Sequence, residues 1–385
     1  MGCVCCCGIP IICSVPPKWS AWIYYIGFLA VSIISWVLRE YGGSVLDSGP
    51  ASGCTEEGTG SDLAVLRLSF GSMLFFATMG LITLGVTEND NPRAKIHTGF
   101  WLFKFVVWGA LIASTFAMPN GTFNVYQYIA IVFSAFFILL QLIILLDSVY
   151  KLNEYLLNRE QCAFTLIALT VIMIVGTIVG MGFLYKYWAP NAGCSLNIFF
   201  VTFTFILFLL YGVISVSPYR TESAGLMTSA AVFAYSMYYT WSALQSEPYV
   251  DDAGLPRECV PAGSGGTGAV QIISFILVML CLSLTTTNSG KSSTSFSLVE
   301  TQNDAGDDED GLNYRPDFFY LTFMLASSYV GMVLTGWGLN KVDQDQFAVD
   351  TGWGSVWAKM SASWLCAILY TWSLIAHKVL TSRNF

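Results

Sequence analysis

Residues Phe123 to Glu160 read FNVYQYIAIVFSAFFILLQLIILLDSVYKLNEYLLNRE, and the reading of this stretch decides the fold. No Gly or Pro falls between Gly121 and Gly176, so nothing here obliges a helix to stop or kink. As one helix the stretch is a rod of about 55 Å, against a hydrocarbon core of about 30 Å. Such a rod must lean, protrude, or do both. Its apolar part, Val125 to Leu146, is long enough to span a bilayer, and Asp147, Lys151, Glu154, Arg159 and Glu160 beyond it belong in an interface or in water. One continuous helix over 123–160 would brace two smaller helix groups. The alternative is two helices joined at Asn158–Gln161.

The rest of the chain places that helix in a membrane. Of 385 residues, 55% are hydrophobic and 11% charged, with mean hydropathy +0.61. Soluble domains carry about 25% charged residues, so an ordinary water-soluble globule is excluded. Hydropathy gives ten candidate spans: Trp19–Leu38, Leu63–Val86, Thr98–Ala117, Phe123–Leu157, Cys162–Tyr185, Ser195–Val216, Ala224–Leu244, Ala269–Thr287, Phe318–Leu339 and Ser355–Val379. The expected class is therefore an all-α polytopic membrane protein of about ten transmembrane helices. The expected order is a cysteine-rich segment (1–18), helices one to eight (19–284), a polar loop (285–317), and helices nine and ten with the C-terminus (318–385). The apolar start lacks the charged beginning and cleavage site of a signal peptide, so none is expected.

Orientation follows from Lys and Arg. With the N-terminus in the cytoplasm, that side collects Lys18, Arg93, Lys95, Lys151, Arg159, Arg220, Lys291, Arg315, Lys378 and Arg383, against Arg39, Arg67, Lys186, Arg257, Lys341 and Lys359 opposite. This asymmetry favours both termini inside, in the plasma membrane or an endomembrane. The sequon Asn120-Gly121-Thr122 then lies in a far-side turn, too close to the membrane for a glycan. Cys54, Cys194 and Cys259 fall on the oxidising side, where three thiols permit one disulfide of unspecified pairing. Cys162, Cys281 and Cys366 read as apolar span fillers. Cys3, Cys5, Cys6, Cys7 and Cys13 near the start are candidates for S-acylation, or for packing at a buried terminus.

The segment Thr285–Asp317 is Ser/Thr-rich and then acidic, a solvated cytoplasmic loop able to take phosphate or adaptor proteins. Its Asp307–Asp310 run is no EF-hand, because Gly306 would fill the first ligand position. Catalytic signatures fail elsewhere too. Two histidines, His97 and His377, lie far apart in sequence, so no metal site is expected. Gly290-Lys291-Ser292 lacks the upstream glycine of a phosphate loop, and Gly263, Gly265 and Gly268 match a dinucleotide pattern without a preceding strand. No transport-ATPase motif appears, and no basic patch suits nucleic acid. The chain reads as a non-enzyme without cofactor.

What stands out is polarity inside spans, which is costly and usually has a partner or a function. Lys104 lies about 10 Å into the third expected span by helical rise. Asp147 sits at matching depth on the long helix, which makes a Lys104–Asp147 pair the first hypothesis; the alternative is Lys104 snorkelling alone. Arg67 and Glu40 form a weaker candidate pair. Gln141 and Gln271 can bond between helices, and Gly176-x-x-x-Gly180 allows two helices close approach.

The chain resembles the serine incorporator (Serinc) family over nearly its whole length. The resemblance is carried by Asn91-Pro92-Arg93-Ala94-Lys95, Gly99-Phe100-Trp101-Leu102-Phe103-Lys104, Pro119-Asn120-Gly121 and Leu140-Gln141-Leu142-Ile143-Ile144-Leu145-Leu146-Asp147. It continues through Tyr238-Tyr239-Thr240-Trp241-Ser242-Ala243-Leu244, Asp308-Glu309-Asp310-Gly311, Tyr314, Phe318-Phe319, Leu325-Ala326-Ser327, Leu334-Thr335 and Trp337. It implies ten helices in two bundles crossed by a long diagonal helix, and a role in membrane lipids. That role is ATP-independent movement of phospholipids between leaflets, support for serine incorporation into phosphatidylserine and sphingolipids, or both. Lys104, Asp147 and Gln141 are the candidate residues of a lipid path; phospholipid, with sterol or sphingolipid, would be its partner. A serine carrier and a scaffold working through residues 285–317 are the competing classes, and self-association is open to all three.

Overall fold

The structure, a computed structural model, describes residues 17–41, 60–86, 92–157, 163–217, 225–248, 258–261, 316–337 and 352–379. Among these residues every regular element is an α-helix. They are α1 (Pro17–Tyr41), α2 (Gly60–Ile82), α3 (Pro92–Thr98), α4 (Trp101–Thr115) and α5 (Asn120–Leu157). There follow α6 (Ala163–Trp188), α7 (Ser195–Val216), α8 (Leu226–Gln245), α9 (Pro316–Leu334) and α10 (Trp353–Val379). Helices α1, α2, α5, α6, α7 and α9 are long and apolar enough to cross a membrane. Helix α4 is apolar but only 15 residues long, and α8 and α10 have the length but carry more Ser, Thr and Tyr. The chain is an all-α polytopic membrane protein. Nine of the ten expected spans fall on described helices; Ala269–Thr287 lies outside the described residues, as do positions 1–16, residues 285–315 and Cys54.

The Gly/Pro-free stretch is one uninterrupted helix of 38 residues, α5, about 57 Å long by helical rise. The third expected span, in contrast, does not begin at Thr98. The chain breaks at Gly99–Phe100, where Phe100 takes φ 59° and ψ 36°, a left-handed conformation uncommon for a bulky side chain. The break leaves α3 as a short separate helix and starts α4 at Trp101. Hydropathy steps from the polar Pro92–Thr98 to the apolar Trp101–Thr115 here, which marks a span boundary but not a left-handed turn.

Two compact units make up the chain: residues 1–137 with 268–349, and residues 138–267 with 350–385. The first half of α5 belongs to the first unit and the second half to the other.

In the first unit α2 is the hub, packed against α1, α4 and α9. Phe75 stacks on Trp108 at 5.1 Å, and Phe323 meets Phe28 at 5.4 Å and Phe76 at 5.1 Å. Two glycines bring backbones together here. A Cβ at Gly71 would lie 2.7 Å from Ile112 Cα, and one at Gly331 would lie 2.5 Å from Ser69 Oγ. Arg67, 2% exposed in the middle of this apolar packing, donates to the carbonyls of Thr115 and Met118 and to Asn120 Oδ1. It therefore caps the C-terminal end of α4 and ties it to the start of α5, with Phe123 covering its guanidinium at 4.5 Å. At that same end Arg39 pairs with Glu40 at 3.0 Å and with Asp62 at 3.5 Å. A cation in the last turn of α1 thus faces an acid in the first turn of α2, each complementing its helix dipole.

In the second unit α8 packs against α6, α7 and α10. Phe208 stacks on Phe233 at 3.7 Å, and Trp364 gathers Phe199, Phe200 and Phe203. Asn197, Thr204 and Tyr211, seven apart on α7, are all buried. Thr204 meets Thr240 at 3.0 Å, and Tyr370 meets Thr228 at 2.9 Å and Ser229 at 2.7 Å. At one end of the unit Asn197 donates to Trp188 O and Glu247 Oε2, while Lys359 donates to Ser242 O and Ser246 Oγ. A disulfide joins Cys194 to Cys259 at this same end. Of the three candidate thiols, then, these two pair. Cys366 is a buried free thiol on α10, as its apolar setting suggested. Gly180 approaches Met237 of α8 closely, whereas Gly176 faces open space, so only half of the Gly-x-x-x-Gly pair serves helix contact inside the unit.

Candidate functional site around Lys104

Lys104 lies in the first turn of α4, its backbone N–H bonded to Phe100 O at 3.0 Å. Its depth is therefore about 4.5 Å from the helix start at Trp101, not the 10 Å expected from a span beginning at Thr98. The side chain is 4% exposed. Its ammonium donates to His97 O at 2.9 Å and lies 4.3 Å from the ring centre of Trp101 and 5.0 Å from that of Tyr24. A carbonyl dipole and two aromatic faces hold the charge, a preorganised substitute for water around a cation. The left-handed turn at Phe100 makes this arrangement, because it brings the last turn of α3 back over the first turn of α4.

Around that carbonyl runs a closed ring of hydrogen bonds. Tyr320 Oη donates to Tyr24 Oη at 2.7 Å, and Tyr24 Oη donates to His97 O at 3.3 Å. With the Tyr320 proton directed to Tyr24, the contact of 2.9 Å between His97 Nδ1 and Tyr320 Oη is donated by the imidazole, which fixes the Nδ1–H tautomer. His97 is fully buried, and burial, followed by the neighbouring Lys104 charge, pulls its pKa down to about 3. The ring is neutral and its one cation is Lys104. Four elements meet here, α1 through Tyr24, α3 through His97, α4 through Lys104 and α9 through Tyr320, with Phe319 packed edge-on to His97. Elsewhere on the same turn of α4, Leu102 and Phe103 are more than half exposed.

The sequence singled out Lys104 for its charge but assigned no role to Tyr24, His97 or Tyr320. Their contacts span 73 to 296 residues of chain, and histidine and tyrosine near span ends carry no distinctive spacing. Asp147 lies on α5 with its side chain outside the described residues, and it belongs to the other unit from Lys104. Gln141, also on α5, holds its Oε1 buried, with no hydrogen-bond donor among the described residues. Cys3, Cys5, Cys6 and Cys7 lie outside the described residues.

Comparison with known proteins decides the family. The family model described as serine incorporator (Serinc) matches residues 1–309 and 296–383. The chain belongs to the serine incorporator family. Among relatives, serine incorporator 3 of Bos taurus is 32% identical over 378 residues, covering 84% of this chain and 80% of its own length. A probable serine incorporator of Nematostella vectensis is 30% identical, with 84% and 80% covered, and serine incorporator 2 of Homo sapiens is 29% identical, with 84% and 79% covered. The integral membrane assignment made from hydropathy thus agrees with helices and family alike.

Proposed function

We propose that this serine incorporator family member moves phospholipids between bilayer leaflets without ATP, and in doing so supports the incorporation of serine into phosphatidylserine and sphingolipids. The observation that carries the reading is the buried Lys104 ammonium, held by a carbonyl and two rings on a helix whose Leu102 and Phe103 are exposed. A phosphate head group crossing hydrocarbon needs a cation, and the described partners of this one are a carbonyl and two aromatic rings. Gln141 Oε1 supplies an acceptor within an apolar helix. The Cys194–Cys259 disulfide supports the orientation, since it belongs on an oxidising face. Counting α1, α2, α4, α5 and α6 as crossings then returns the N-terminus to the cytoplasm.

The test is lipid exchange in proteoliposomes carrying a fluorescent phospholipid in both leaflets, followed with a membrane-impermeant quencher. Quenching well beyond the outer-leaflet fraction, lost in Lys104→Met, supports the reading. Protection of the inner-leaflet signal in folded protein overturns it, and serine uptake and partners of the 285–317 loop become the next measurements.

A further inference from the structure

In the first unit, between α1, α2 and α9, lies a cavity of about 10 Å³. That is room for about one water-sized sphere. Five serines line it, Ser32 and Ser35 from α1, Ser69 and Ser72 from α2, and Ser327 from α9, all less than 10% exposed. Phe28, Val31, Val65, Val330 and Gly331 line the rest.

The protons of these hydroxyls are largely committed. Ser32 donates to Phe28 O at 2.9 Å, Ser35 to Val31 O at 2.9 Å and Ser327 to Phe323 O at 2.8 Å, each bonding back one turn on its own helix. Ser69 donates across to Ser327 O at 2.9 Å, so Tyr126 must be the donor in its 2.8 Å contact with Ser69. Ser72 accepts from Trp108 Nε1 at 3.1 Å, and its own proton is left for a guest. The wall therefore offers acceptor lone pairs from Ser32, Ser35 and Ser327 and one donor from Ser72. This pattern suits a guest with two donors and an acceptor. It does not suit a bare cation, because no carboxylate lines the cavity and a lone charge in apolar surroundings is costly.

We infer that the cavity binds one ordered water molecule, which donates to two of the three serine oxygens and accepts from Ser72. Three hydrogen bonds are typical of a buried water. The water joins α1 to α2 and α9 partway between the Tyr24–Tyr320 bond at one end of α1 and the Arg39–Asp62 ion pair at the other. Gly331 keeps the site open, since a side chain there would press on Ser69.

The test is X-ray hydroxyl-radical labelling of the whole protein in detergent in ¹⁸O-water, read by mass spectrometry. Radiolysis of a bound water oxidises the ring beside it. Phe28 lines the cavity at 3% exposure, whereas Phe75 and Phe76, at 1% and 0%, do not line it. Phe28 is expected to label severalfold faster than either, and the double variant Ser32→Ala with Ser35→Ala is expected to remove the difference. Equal rates for the three rings in the wild type overturn the inference. So does fast Phe28 labelling that the double variant leaves unchanged, since the radical then arrives from bulk solvent. A melting temperature that rises with sodium but not with choline would identify a cation instead, and would overturn it as well.

Discussion

Replacing Arg67 by Met tests whether the first unit is held together at one end by a buried guanidinium. The side chain is 2% exposed and donates to Thr115 O, to Met118 O at 3.1 Å and to Asn120 Oδ1 at 2.8 Å. Hydrogen bonds from a charged donor contribute about 1.5–3 kcal/mol each, and a buried acceptor left unpaired costs about 1–3 kcal/mol. Against this, Met removes the desolvation cost of the charge itself, which is several kcal/mol for a buried ion. The balance is a net loss of about 2–4 kcal/mol, because Thr115 O is left buried without its donor while Met118 O and Asn120 Oδ1, part-buried, are only partly compensated by water. For a unit of this size that is a fall of about 5–15 °C in melting temperature, at about 2–4 °C per kcal/mol. Arg67→Lys keeps the charge but not the planar fork, so it should recover less than half of the loss. The assay is thermal unfolding in detergent, with near-native helix content checked by circular dichroism. If Arg67→Met melts within a degree of the wild type, the capping argument is wrong. Full rescue by Lys would show that charge matters and the fork does not.

Further outcomes can be checked on the same preparation. His97 has its pKa pulled down to about 3 by burial and by Lys104, against about 6.5 unfolded. Below pH 6.5 the unfolded chain takes up a proton that the native state refuses, so stability present above that pH should fall by up to about 1.4 kcal/mol per pH unit towards pH 3. In His97→Gln the part of the pH 5 to pH 7.5 difference in melting temperature due to this group should vanish; an unchanged difference refutes the assignment. Replacing Cys194 and Cys259 together by Ser opens a loop of 65 residues and should cost about 4 kcal/mol in the chain-entropy model. The wild-type pair should resist maleimide until reduced. Gly331→Ala forces a methyl group against Ser69 Oγ and should destabilise by about 1–3 kcal/mol, read as a lower melting temperature. Gln141→Leu removes a buried acceptor that lacks a donor among the described residues, and should leave stability unchanged or raise it by about 1 kcal/mol. If lipid exchange falls in that stable variant, Gln141 serves transport; if exchange is untouched, it does not.

What was legible in the sequence divides along a physical line. Helix α5 could be read because its evidence is local: a run of residues with nothing to break it, whose length alone exceeds a bilayer. The hydropathy spans were legible for the same reason. The break before α4 was not, because a single glycine between His97-Thr98 and Phe100-Trp101 suits either a helix or a turn. Only the contacts of His97 with Tyr24 and Tyr320 reveal what the left-handed Phe100 accomplishes. The disulfide stayed open among three thiols because pairing is a tertiary fact, and the carbonyl partners of Arg67 stayed hidden because sequence reading looks for opposite charges. The fold answers a buried cation differently at its two sites in the first unit. Arg67 takes carbonyls at a helix C-terminus, where a cation complements the dipole. Lys104 lies at a helix N-terminus, where the dipole opposes it, and is held there by one carbonyl and two rings. The first placement is what stability would select. The second is favourable only through the surrounding cluster, which is why the lipid reading rests on Lys104 and not on the better-bonded Arg67.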